Sequence, residues 1–89
     1  MIIDYGDNMY GILIPEAGSK VHFASKKLKS KGIKAEVIST PMKLSKTGCS
    51  YSLRFRIEEY SQVVETMKEY NVGIVKAYRI MKPGVYEAI

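Results

Sequence analysis

Apolar and polar positions along this chain follow two different periods, and the switches between them mark out six elements. Met9-Tyr-Gly-Ile-Leu-Ile14 is a short run rich in β-branched and aromatic residues, bounded by Pro15, and predicts a buried strand. Ala17, Val21, Ala24 and Leu28 then recur at spacings of four, three and four, which is one face of a helix. Ser19 is placed to cap that helix, lysines crowd its last turn and Gly32 ends it. Ile33, Ala35 and Val37 alternate with Lys34 and Glu36, as in a half-buried strand closed by Thr40-Pro41. From Cys49 the alternation is strongest. Tyr51, Leu53, Phe55 and Ile57 share one face, predicted to meet the core, and Ser52, Arg54 and Arg56 share the other, predicted to be open. Glu58 and Glu59 suit a first helical turn, and Tyr60, Val63, Val64 and Met67 give the next helical stripe, ended by Asn71 and Gly73. Ile74–Ile80 predicts a last strand, stopped by Lys82-Pro-Gly84.

Strand, helix, strand, strand, helix, strand is the order of the ferredoxin-like α+β sandwich: a four-stranded antiparallel sheet with two helices on one face. The expectation is one domain over residues 1–89, with 1–8 and 82–89 as short tails. No apolar run approaches the roughly 20 residues of a membrane span, so no membrane partner is expected. The start carries acids rather than a basic leader, which points to a cytoplasmic protein.

Charge adds an asymmetry. The formal net charge is +5, and between Ala17 and Arg56 ten lysines and arginines are interrupted by one acid, Glu36. Such a balance suits an anionic partner, although a lysine run is as often a solvated surface. Arg54 and Arg56 form a basic sheet face that could hold phosphate or carboxylate, or simply discourage stray strand pairing. His22 is the lone histidine and Cys49 the lone cysteine, so no metal site and no cofactor is expected.

Cys49 is the best handle on chemistry. It ends the loop Met42–Gly48, beside Lys43, Lys46, Thr47, Gly48 and Ser50. Ammonium groups and free N–H groups of a glycine-containing loop favour a thiolate over the ordinary thiol of pKa about 8.5. Such a thiolate could attack sulfur or selenium donors. Equally, Cys49 could fill space at a strand end, since its parity matches that of the apolar positions.

The stretch Ser39–Phe55 resembles the sulfur/selenium carrier-like family of small bacterial proteins. The matching residues are Thr40-Pro41, Ser45, Cys49-Ser50 and Leu53-Arg54-Phe55, with Gly32-Ile33 closing the first helix. Ser50 stands where the family usually has glycine, and Met42-Lys43 where an arginine is usual. The resemblance implies that Cys49 carries sulfur or selenium and that the partner is a donor or acceptor protein.

Two other readings stand beside it. A homo-oligomer would explain the mixed polarity of the last strand and the apolar tail. A nucleic acid could bind the basic sheet, but base stacking needs aromatics on the open face, and Tyr51 and Phe55 have core parity.

Overall fold

The computed structural model describes residues 9–44 and 51–89. Seven main elements follow in order: β1 (Tyr10–Pro15), α1 (Val21–Ser30), β2 (Ala35–Ser39), β3 (Tyr51–Arg56), α2 (Tyr60–Glu69), β4 (Ile74–Lys82) and β5 (Val85–Ala88). The strands form one antiparallel sheet in the order β2-β3-β1-β4-β5. The fold of the described residues is therefore α+β, with two α-helices and five strands.

The register sorts the side chains. Leu13 lies opposite Leu53, Gly11 opposite Phe55 and Ala35 opposite Phe55, so these residues share one sheet face. Val21, Ala24 and Leu28 of α1 and Val63 and Met67 of α2 pack on that face as one buried cluster. Each such side chain taken fully out of water contributes roughly 1.5–3 kcal/mol before entropy is counted. Gly11 leaves room for the ring of its cross-strand neighbour: a Cβ there would sit 2.8 Å from Phe55 Cζ. The Phe55 ring in turn stacks on Tyr60, with centroids 6.2 Å apart.

Both helices end by the same device. The N–H of Gly32 donates to the carbonyl of Lys29 (2.9 Å) and that of Ile33 to Leu28 (3.0 Å). After α2, Asn71 donates to Lys68 (3.1 Å) and Val72 to Met67 (2.8 Å). The residue at the bend is left-handed in each case, Gly32 at φ +81° and Asn71 at φ +56°. This is the Schellman arrangement, and it turns Ile33 and Val72 back into the core beside Leu28 and Met67.

The fold departs from the sequence reading in four places. Residues 82–89 are not a tail. Gly84 at φ +82° makes Lys82-Pro-Gly84 a turn, and β5 returns along β4 as a fifth strand. Ser19 does not cap α1. A short 3₁₀ turn, Gly18–Lys20, precedes the helix, and backbone carbonyls of Ala17 and Gly18 take the N–H groups of Lys20 and Val21. Tyr51, expected in the core, is 53% exposed, because it opens β3 at the margin of the helical layer, beside the first turn of α1. Ser52, expected on an open surface, is 0% exposed, for a reason that belongs to the site.

Candidate functional site

The helix-free face of the sheet is not bare. The parity that sends Leu53 and Phe55 to the helices sends Ser52 and Arg54 the other way, with Ile12 opposite Arg54 and Ile38 opposite Ser52. Ile12 and Ser52 are both buried there. Thr40, one step past β2, turns onto the same face, where its hydroxyl is hydrogen-bonded to that of Ser52. Two hydroxyls taken out of water satisfy each other, which removes most of the cost of burying either. Pro41 then starts a tight turn closed by the Leu44 N–H on its carbonyl (2.8 Å). Within it, Lys43 Nζ donates to the carbonyl of Gly84 at 2.8 Å.

That last bond fixes a path. β2 is one edge of the sheet, and Gly84 belongs to the hairpin at the other edge. Both helices occupy the opposite face, so the segment Thr40–Leu44 crosses the helix-free side as a strap. Ser52 is sealed for this reason, and strand alternation alone gave no sign of it. The signal in the sequence was the pair of hydroxyls, Thr40 and Ser52, set at matching parity on adjoining strands.

The predicted site residues separate into two groups. Lys43 is described, and its ammonium is committed to Gly84. Lys46, Thr47, Gly48, Cys49 and Ser50 lie outside the described residues. The chain re-enters the sheet at Tyr51, whose ring faces His22 of α1 with centroids 6.5 Å apart. Arg54 and Arg56 both belong to the helix-free side, though neither stands as an isolated cation. Arg54 forms an ion pair with Glu36 and lies 5.0 Å from the ring of Tyr10, and Arg56 bridges to Glu58 at 3.4 Å.

On the helical side, a small polar groove of about 250 Å³ is lined by Lys31, Ile33, Gln62, Glu65 and Thr66. The Glu69 carboxylate, hydrogen-bonded to Lys31, holds that ammonium above the ordinary lysine value. Lys27 lies over the rings of both Phe23 (5.5 Å) and Tyr70 (5.1 Å), which meet edge to face. Among the described residues no group of histidine, cysteine and carboxylate side chains could hold a metal ion. Nor is any described helix long and apolar enough to cross a membrane.

The described residues make a two-layer α+β domain, and the comparison with known families adds the following. Residues 10–79 match the family described as Putative Se/S carrier protein-like, and the chain belongs to that family. No curated protein and no solved structure matches it.

Proposed function

We propose that this protein is a sulfur or selenium carrier that uses Cys49 as its thiol. The observation that carries this reading is family membership over residues 10–79, a span that includes the chain's only cysteine. The fold supports it in a general way. The β2-β3-β1-β4 order, with both helices on one face, is that of a ferredoxin-like sandwich to which β5 is added.

The chemistry is a transfer between sulfurs. The Cys49 thiolate attacks the terminal sulfur of a donor protein's persulfide. The donor's S–S bond breaks, its own sulfur leaves as a thiolate, and the terminal sulfur with its proton now sits on Cys49. No oxidant is consumed. Delivery repeats the step with an acceptor as the attacking group. In this reading Lys46 and the backbone N–H groups of Thr47–Ser50 favour the anionic sulfur. Lys43 contributes through the position that its bond to Gly84 gives the loop.

Incubation with a cysteine desulfurase and cysteine tests the proposal by intact mass. The expected product is the chain plus one sulfur atom, lost on treatment with reductant and absent from Cys49→Ser. The iodoacetamide rate should also titrate below about pH 8.5, the value for an ordinary cysteine. No mass gain, together with a titration at or above that value, would overturn the reading.

Nucleic acid gains less support. A base-stacking platform must be open, whereas the Thr40–Leu44 strap crosses the helix-free face and Glu36 neutralises Arg54.

A further inference from the structure

The two helices open in opposite ways. α2 has Glu59 at its N-cap position with Glu58 before it, so carboxylates meet the positive end of the helix dipole. α1 has Lys20 at its N-cap position and no acid in its first turn. A lysine there works against the dipole, so helix stability does not account for it. Lys26 and Lys29 lie three positions apart, and like charges so placed repel. No described carboxylate relieves them. The ion pairs among the described residues take up Lys31, Arg54, Arg56 and Arg79, and leave Lys20, Lys26 and Lys29 joined to no acid.

These lysines share a ridge. Val21, Ala24 and Leu28 turn to the core, whereas His22, Lys26 and Lys29 recur at i, i+4 and i+7 on the outward side, all exposed. Phe23 stands beside the ridge and is 42% exposed. The ridge also begins close to the proposed chemistry. His22 faces the ring of Tyr51, and Tyr51 follows Cys49 in the chain by two residues.

We infer that the outward face of α1 docks the protein that donates the persulfide, seating an acidic patch of that donor on Lys20, Lys26 and Lys29 with Phe23 as the apolar anchor. The inference rests on the carrier reading of Cys49 and adds the partner's chemistry to it. Charge complementarity selects the occupant. Cations that have no counter-ion within the fold steer an acidic surface toward them and fix how it lands. An exposed aromatic residue beside a charged rim is also the make-up of a protein interface. A single-stranded nucleic acid would want an open ring on which to stack a base. Phe23 is not open in that way: Tyr70 meets it edge to face, and Lys27 lies over both rings. A donor seated on α1 stands beside the start of β3, from which the chain runs back to the thiol.

The rate of sulfur loading from a cysteine desulfurase and cysteine, read by intact mass, tests the inference beside the rate with iodoacetamide, an uncharged reagent that needs no docking. Lys20→Glu/Lys26→Glu/Lys29→Glu reverses the ridge. Lys68→Glu/Lys76→Glu/Lys82→Glu reaches the same net charge from exposed lysines elsewhere. The ridge variant is expected to load at least about tenfold more slowly than wild type, and to lose the fall in rate that salt causes in wild type. The second variant is expected to load near the wild-type rate, and both to keep the far-UV circular dichroism and the iodoacetamide rate. Lys26→Gln/Lys29→Gln, two good helix formers, should slow loading in the same direction without strain on α1. Wild-type loading by the ridge variant would overturn the inference and leave the carrier reading standing. Equal slowing by both triple variants would also overturn it, as an effect of net charge alone. So would a single-stranded oligonucleotide that binds wild type but not the ridge variant while loading is unchanged. A wild type that takes no sulfur from the desulfurase would overturn the inference, and the carrier reading as well if its iodoacetamide rate titrates as an ordinary cysteine.

Discussion

Gly11 shows how one missing atom makes room for a core ring on the neighbouring strand. It lies in β1 opposite Phe55, whose ring occupies the volume a Cβ would need. Gly11→Ala should force Phe55 and its stacking partner Tyr60 to shift, at a cost of about 1–3 kcal/mol. Urea unfolding would measure it, and an unchanged midpoint would mean that the core yields more easily than its packing implies. Ser52 teaches the opposite lesson about a single position. Alternation along β3 placed it on a solvated face, and alternation was right about the side. What it lacked was the strap, a contact made by residues more than ten positions away.

At the scale of elements, the helix ends are where local chemistry speaks most directly. Gly32 and Asn71 both hold left-handed backbone, which costs a residue with a Cβ roughly 1–2 kcal/mol. Gly32→Ala should therefore lower stability by about 1 kcal/mol, and Asn71→Gly should leave it equal or higher, both readable by thermal unfolding. A Gly32→Ala protein as stable as wild type would remove the capping argument. These ends were legible because the bend needs particular residues and the chain supplies them. The two apolar stripes were legible for a related reason: Val21, Ala24 and Leu28, like Val63 and Met67, have one face to bury and bury it. β5 was not legible. Its four residues are too few for alternation to register, and Lys82-Pro-Gly84 reads as readily as a stop as it does as a turn. The start of α1 misled because backbone carbonyls did the work that Ser19 could have done. Of the candidate site, Lys43 has a partner that no spacing rule reveals, since Gly84 lies forty-one residues beyond it.

Across the whole molecule, the strap links the end of β2 to the turn between β4 and β5 through Lys43 and Gly84. Lys43→Met should leave the global unfolding midpoint within about 0.5 kcal/mol, because the lost bond is exposed. It should nevertheless speed hydrogen exchange at the Leu44 amide, which closes the turn. Equal exchange in variant and wild type would mean that the turn stands without its anchor. The place of β1 in the sheet bears on how the chain is made. It precedes the other described strands in the chain, yet it lies between β3 and β4, and Tyr10 finds Ile80 only once β4 has been synthesised. Until then Ile12 and Leu13 have no lasting shelter, and closure must bring together residues far apart in sequence, the slow kind of folding. A ribosome stalled shortly before β4 would thus hold a nascent chain with its middle strand half-clothed, the stage at which a chaperone would matter most.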